Sequence, residues 1–97
     1  MDKLFKQVER KIARYLGGHR NPIHGSGAKC DVSTKLLSVE VKEKQELPKW
    51  LIDAMSQAVR NCEENKIPVV ILHRKGDEHR FDYLIIRLGD FVEYWGG

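Results

Sequence analysis

The sequence predicts an α/β domain in which a central mixed β-sheet is flanked by helices, in the order α-β-β-α-β-β-α. Three observations lead to this prediction. Residues 2–16 and 48–62 carry apolar side chains at helical spacing. Residues 36–44, LLSVEVKEK, alternate apolar and charged side chains as a half-exposed strand does. Residues 68–72, PVVIL, form a continuous apolar run that is typical of a strand buried on both faces.

The first helix is predicted over residues 2–16, where apolar side chains recur on one face. The pair Gly17-Gly18 ends this pattern, as glycines do at the ends of helices. On a helical wheel Glu9 lies at the border of the apolar stripe rather than opposite it. The helix therefore carries one carboxylate close to its packed face.

A loop is predicted over residues 19–29, HRNPIHGSGAK, which are rich in glycine, proline and basic side chains. Short strands are predicted at residues 30–34 and 36–44, joined by a tight turn around Lys35. Loop residues of this kind can contact phosphates, and the glycines allow a close backbone approach. The alternative is a solvated loop. The candidates for phosphate contact are His19, Arg20, His24, Gly25, Ser26, Gly27 and Lys29.

The second half of the chain predicts a helix, two strands and a short final helix. Pro48 suits the first turn of the helix, and apolar residues recur along one face as far as Cys62. Strands are predicted at 68–72 and 81–87, separated by a polar turn, with a helix over 88–94. His73 and His79 flank the polar turn and are interpreted as structural or solvent-facing residues.

The composition indicates one globular domain of 97 residues, with 41% hydrophobic and 32% charged residues. No apolar run approaches the ~20 residues of a membrane span, and the N-terminus lacks the apolar segment of a signal peptide. The two cysteines form neither a paired metal motif nor a dense disulfide framework, so we expect a cytoplasmic protein. Residues 1–50 carry eleven basic and six acidic side chains, which is compatible with a phosphate-rich partner.

The strand over 36–44 carries the candidate catalytic residues on its polar face. Because strand side chains alternate, Glu40 and Lys42 project about 7 Å apart on the face opposite Val41. Asp31 reaches the same patch if the two predicted strands pair as a hairpin. Two carboxylates at that spacing suit Mg²⁺ or Mn²⁺, and a neighbouring lysine would stabilise charge or help deprotonate a bound water. The alternative is a solvated surface ion pair.

These residues resemble a known family. Asp31, eight intervening residues and then Glu40-Val41-Lys42 resemble the D…(D/E)-x-K signature of the PD-(D/E)XK nuclease superfamily, with Cys30 in place of the leading proline. A first helix with a glutamate, a Gly/Ser loop before the aspartate and a helix after the motif follow in the same order. This layout is similar to archaeal Holliday-junction resolvases and to small PD-(D/E)XK endonucleases often encoded by phages.

The resemblance implies a restriction-endonuclease-like fold and a Mg²⁺- or Mn²⁺-dependent endodeoxyribonuclease. Asp31 and Glu40 would bind the metal, the Val41 carbonyl would be an extra ligand, and Glu9 would approach from the first helix. Lys42 would contact or activate the attacking water. Gln57 corresponds to a glutamine near the catalytic lysine of many members, although simple solvent exposure is an equal alternative.

The implied partner is DNA, with a branched or four-way junction favoured and a homodimer expected. The implied setting is the cytoplasm of a bacterial or archaeal cell, or of a phage-infected host. Three alternatives stay open. They are a nonspecific, nicking or repair nuclease, an inactive DNA-binding module of the same fold, and a protein-interaction domain with no nucleic-acid role.

Overall fold

A computed structural model describes residues 2–21 and 30–95 and divides the chain into two compact units. The N-terminal unit holds the described residues up to Gln45, and the C-terminal unit spans Glu46–Trp95. Three helices accompany two antiparallel sheets, which confirms the predicted α/β class. One mixed sheet was expected, whereas the described strands form a three-stranded and a two-stranded sheet. Each sheet joins strands that are near in sequence, because short connections favour antiparallel neighbours.

The first helix, α1, spans Asp2–Leu16 and confirms the predicted boundaries. Its end follows directly from the glycine pair. Gly17 has a φ of 72°, which favours glycine, and its N–H donates to the Arg14 carbonyl while the Gly18 N–H donates to the Ala13 carbonyl. A Cβ at Gly18 would collide with the Ser33 carbonyl oxygen, so the second glycine allows the strand that contains Ser33 to pack closely.

The sheet of the N-terminal unit consists of three short antiparallel strands. They are β1 (His19–Arg20), β2 (Val32–Ser33) and β3 (Ser38–Val39), in that spatial order. The pairing of β2 with β3 confirms the predicted hairpin, although both strands are shorter than expected. β1 was predicted as loop, because two residues are too few to show a period.

The core of the N-terminal unit lies between α1 and this sheet. Ala13, Val32 and Val41 are buried, and Val32 is fully excluded from solvent. Three further apolar residues pack against them, two from α1 and one from β3, namely Val8, Ile12 and Val39. The alternation predicted for residues 36–44 is confirmed at Val39 and Val41, which face the core, whereas Leu36 is 70% exposed and the strand covers only Ser38–Val39.

The C-terminal unit contains α2 (Lys49–Arg60), β4 (Val69–Leu72), β5 (Tyr83–Ile86) and α3 (Leu88–Trp95). A short 3₁₀ helix, His79–Phe81, precedes β5. These elements match the predicted order. Within residues 2–21 and 30–95, every helix falls short of the length and apolar character that a membrane crossing requires.

The prediction that the strand over 68–72 is buried on both faces is wrong. Along β4, Val69 is 40% and Ile71 56% exposed, while Val70 and Leu72 are half-buried. The sheet has two strands, and α2 packs against β4, so the apolar run is covered unevenly. The continuous apolar run therefore indicates β propensity here, and it does not indicate that the strand is buried on both faces.

Candidate active site

The pairing of β2 with β3 brings Asp31, which directly precedes β2, to the same end of the hairpin as the ExK motif, Glu40-Val41-Lys42. Val32 pairs with Val39, so Asp31 precedes this pair and Glu40 follows it. The Asp31 N–H also donates to the Val39 carbonyl at 2.9 Å. The backbone of the candidate metal ligand Asp31 is therefore bonded directly to β3.

The Asp31 carboxylate is held by the backbone of the motif itself. Its Oδ2 accepts a hydrogen bond of 2.8 Å from the Val41 N–H, at the residue between Glu40 and Lys42. The Val41 side chain is buried, whereas the two flanking charged side chains are exposed. The structure therefore brings Asp31 next to the motif, while Glu40 and Lys42 share the outward face as the sequence predicted.

The sequence predicts that Asp31 and Glu40 bind a hard divalent cation. Carboxylate oxygens are the ligands that Mg²⁺ prefers, and Mg²⁺ commonly binds through one or two carboxylates, completing its shell with waters and substrate phosphates. In the sequence-based prediction these two carboxylates are Asp31 and Glu40. Within the described residues, Glu9 does not join them in a three-ligand cluster with donor atoms within 4.8 Å of one another.

The Glu9 carboxylate instead faces Arg20. The Arg20 Nε donates to Glu9 Oε1 at 2.6 Å, and both side chains are largely buried. Removing one member of such a pair leaves a buried charge without compensation. The pair ties α1 to β1, and the sequence did not predict it. The proposed roles of Glu9 at a metal and of Arg20 at a phosphate remain predictions.

A residue that the sequence analysis missed, Asn21, positions the chain before Asp31. Asn21 is buried, and its backbone N–H donates to the Asp31 carbonyl at 2.9 Å. Its side-chain Nδ2 donates to the Cys30 carbonyl at 3.1 Å and to Ser33 Oγ at 2.7 Å. The signal in the sequence was the Asn-Pro dipeptide, which marks turns.

The thiol beside Asp31 belongs to the same polar network. Cys30 Sγ lies 3.3 Å from Ser33 Oγ. Hydrogen bonds with the hydroxyl of Ser33, and next with that of Ser38, lower the pKa of the Cys30 thiol. The hydroxyl groups of Ser33 and Ser38 therefore favour the thiolate form of Cys30.

A basic groove of about 300 Å³ lies beside α1 and β1. Arg10, Arg14, His19 and Arg20 supply its charged and polar lining, with Ala13 and Gly18 between them. His19 and Arg20 were predicted as phosphate contacts, whereas the helix arginines were missed. Their spacing of four residues on one helix face was the available signal. Such a concentration of positive charge suits a phosphate backbone.

The remaining predicted residues belong to the C-terminal unit or lie outside the described part of the chain. Gln57 is exposed on α2 in the C-terminal unit, whereas Glu9, Asp31 and the ExK motif belong to the N-terminal unit. Five of the predicted phosphate contacts lie outside the described residues, namely His24, Gly25, Ser26, Gly27 and Lys29.

Comparison with known proteins identified no matching family, no matching curated protein and no matching solved structure. The likeness to PD-(D/E)XK nucleases therefore rests on the residues of this chain. Those residues are Asp31 and Glu40-Val41-Lys42, together with the order of the surrounding helices and strands.

Proposed function

We propose that the protein is a metal-dependent DNA endonuclease that hydrolyses phosphodiester bonds. The observation that carries the proposal is the hydrogen bond between Asp31 Oδ2 and the Val41 N–H. This bond joins the carboxylate to the strand end that exposes Glu40 and Lys42 on one face.

Asp31 and Glu40 would hold Mg²⁺ or Mn²⁺, and the Val41 carbonyl is a further candidate ligand. When bound, the metal would polarise the phosphate and lower the pKa of a coordinated water. The Val41 N–H keeps Asp31 in one orientation, which reduces the reorganisation needed during the reaction. Lys42 has three donors on a flexible stem, so it can orient the attacking water and contact a phosphate oxygen as negative charge develops.

The basic groove supports a nucleic-acid substrate. Arg10 and Arg14 extend from exposed positions on α1, and His19 extends from the adjoining strand. Contacts of this kind bind phosphates irrespective of sequence and fix the position of the duplex. The groove and the candidate active site both belong to the N-terminal unit, so one unit contains groups for binding and for cleavage.

Within this class, the resemblance favours a Holliday-junction resolvase acting as a homodimer. Resolution requires two symmetric nicks, and a chain with one site would supply both only as a twofold dimer. The measurement is sedimentation of the protein alone and with four-way DNA. A particle with one chain per junction would rule out resolution and leave a nicking or nonspecific nuclease.

An inactive DNA-binding module is the second candidate, and the Glu9–Arg20 pair favours it. If the reaction requires the Glu9 carboxylate near the metal, its short bond to Arg20 opposes that role. Such a module would bind four-way DNA through the basic groove without cutting it. Binding that persists while metal-stimulated cleavage is absent would establish this candidate.

The test of the endonuclease proposal is cleavage of labelled linear and four-way DNA by the purified protein with Mg²⁺ or Mn²⁺. We expect Glu40→Gln to lower the cleavage rate by about 100-fold or more, because it removes a ligand charge. Glu43→Gln is the matched control, since it changes the same group three residues away at another exposed position. Its rate should stay within about twofold of the unmodified protein.

A second pair separates catalysis from general charge effects. Lys42→Met should reduce the rate by about 10²–10⁴-fold. Lys44→Met removes the same charge from a nearby exposed position. It should weaken DNA binding slightly without lowering the cleavage rate as Lys42→Met does. Failure to cut any substrate, or equal rates for both members of each pair, would reject the endonuclease proposal.

A further inference from the structure

A second group of metal-binding side chains lies in the C-terminal unit, in the turn between β4 and β5. His73 directly follows β4, Asp82 directly precedes β5, and His79 begins the 3₁₀ helix between them. Leu72 pairs with Tyr83, so the hairpin brings His73 and Asp82 to facing positions. Two histidines and one carboxylate thus converge although they are spread over ten residues of sequence.

The contacts between these three side chains are short. His73 Nδ1 lies 2.7 Å from Asp82 Oδ1, and His79 Nδ1 lies 3.1 Å from Asp82 Oδ2. The two imidazole rings are 4.4 Å apart between centroids. One potential ligand atom from each residue can be chosen so that all lie within 4.8 Å of one another. Both histidines therefore direct a ring nitrogen at the same carboxylate.

The turn holds these residues in place by its own bonds. The Asp82 N–H donates to the His79 carbonyl at 3.0 Å, which fixes the spacing of two of the three groups. Gly76 has a φ of 94°, a conformation that favours glycine, and permits the reversal of the chain. The site is therefore built on a hairpin with defined geometry rather than on freely moving side chains.

The other acidic residues of the turn are paired with arginines. Asp77 accepts from Arg74 Nε at 2.9 Å, and Glu78 lies 3.3 Å from Arg80 Nε. The Asp82 side chain is only 12% exposed and faces the two histidines. Hydrogen bonding by His73, and next by His79, lowers the pKa of the Asp82 carboxyl.

We propose that His73, His79 and Asp82 form a binding site for a divalent transition metal of the zinc class. Imidazole nitrogen with one carboxylate is a donor set of zinc sites, with bonds of about 2.0–2.2 Å. In tetrahedral geometry, such bonds separate neighbouring ligand atoms by roughly 3.3 Å. The three ligand atoms, which lie within 4.8 Å of one another, are near this spacing, and the contacts of 2.7 and 3.1 Å are made to the two different oxygens of Asp82.

On binding, the metal would take the place of the proton on Nδ1 of each histidine, and each neutral ring would carry its proton on Nε2 instead. Three protein ligands leave the fourth tetrahedral position to water or to an added ligand. The site differs in chemistry from the Asp31/Glu40 site, which offers oxygen donors suited to Mg²⁺. Its existence does not depend on nuclease activity, and the measurements of metal binding are therefore separate from the cleavage assays.

The test is titration of the metal-free full-length protein with Zn²⁺ and, in parallel, with Co²⁺. We expect saturable Zn²⁺ binding at one site per chain by calorimetry, and the visible absorption of tetrahedral Co²⁺. Long-range ¹H–¹⁵N spectra of the imidazoles should show metal-induced shifts at His73 and His79. These spectra use the unmodified protein, so the result does not depend on whether a variant folds.

Variants then identify the ligands. His79→Ala alters a side chain that is 83% exposed, and Asp82→Asn preserves side-chain volume. Each should weaken Zn²⁺ binding by about 100-fold or more. Asp77→Asn is the matched control, because it removes a carboxylate of the same turn that faces an arginine, and it should bind as tightly as the unmodified protein.

Two results would overturn the proposal. One is the absence of saturable binding together with unchanged imidazole spectra. The other is Zn²⁺ binding that survives in both His79→Ala and Asp82→Asn, since the metal would then be held by other side chains. A displacement of bound Zn²⁺ by millimolar Mg²⁺ would also argue against nitrogen ligation, because Mg²⁺ prefers oxygen donors.

Discussion

The two units of this protein differ in how completely they bury their side chains. The N-terminal unit contains every buried residue found in the described parts of the chain, including the polar residues Glu9 and Asn21. In the C-terminal unit, α2 and α3 have no buried residues. Most of the exposed large apolar side chains are found there, and β4, β5 and α3 line an apolar groove of about 420 Å³.

This difference indicates how each unit positions its polar groups. In the N-terminal unit, buried hydrogen bonds and an ion pair hold Asp31 and its neighbours, so loss of one partner leaves a buried polar group unsatisfied. In the C-terminal unit, ion pairs and hydrogen bonds lie at the surface and in the β4–β5 turn. Exposed pairs contribute little to stability because water and salt screen them. Matched substitutions in the two units test this contrast.

The largest contrast is expected between the two kinds of ion pair. Glu9→Ala should lower the free energy of unfolding by about 3–5 kcal/mol, because Arg20 keeps a buried charge without a partner. Asp53→Ala breaks the Lys49–Asp53 pair, whose side chains are 89% and 60% exposed. It should cost less than about 1 kcal/mol. Urea unfolding followed by circular dichroism measures both.

A double variant checks the cause of the Glu9 effect. Glu9→Leu combined with Arg20→Met removes both charges and should recover most of the lost stability. If the double variant is as unstable as Glu9→Ala, the loss reflects packing rather than the unpaired charge. If the exposed pair costs as much as the buried one, the proposed contrast between the units is wrong.

Apolar truncation should show the next largest difference. Val32→Ala removes two methyl groups from a fully buried site and should cost about 2 kcal/mol. Val59→Ala removes the same groups from a helix position that is 38% exposed. It should change stability by less than about 0.5 kcal/mol, since alanine also favours the helix. Equal losses in thermal unfolding would show that Val59 is covered in solution.

A substitution at Asn21 tests whether its side-chain hydrogen bonds to Cys30 and Ser33 stabilise the chain beside Asp31. Asn21→Ala removes the donor for the Cys30 carbonyl and Ser33 Oγ, and should cost about 1–2 kcal/mol. Asn61→Ala, at an exposed position after α2, is the control and should be nearly neutral. Faster hydrogen exchange at the Asp31 amide in the first variant only would localise the effect. Unchanged exchange would contradict the positioning role.

The smallest effect is expected for DNA affinity. Arg14 and Arg60 each lie in the last turn of a helix, and only Arg14 lines the basic groove. Arg14→Gln should reduce the slope of log affinity against log salt by about 0.9, as expected for one lost phosphate contact. Arg60→Gln should leave the slope unchanged. Fluorescence anisotropy with labelled duplex measures both, and equal slopes would remove the groove from the proposed DNA interface.

Local patterns in the sequence predicted the elements around the candidate site well. The period of α1 and its glycine end were predicted to the residue, and the alternation over 36–44 identified Val41 as inward and Glu40 as outward. The same reasoning failed for β1, which is too short to show a pattern. The prediction that β4 is buried on both faces also failed, because an apolar run does not indicate how much of each face is covered.

Glu40, Lys42 and the hairpin that brings them to Asp31 could be recognised from the amino-acid sequence, because strand periodicity and tight turns are properties of neighbouring residues. The partners of Glu9, Asn21 and Asp82 could not. Arg20 is eleven residues from Glu9, and His73 is nine residues from Asp82. Such pairs form only where the chain returns to itself, so their geometry depends on the packing of α1 on its sheet and on the pairing of β4 with β5.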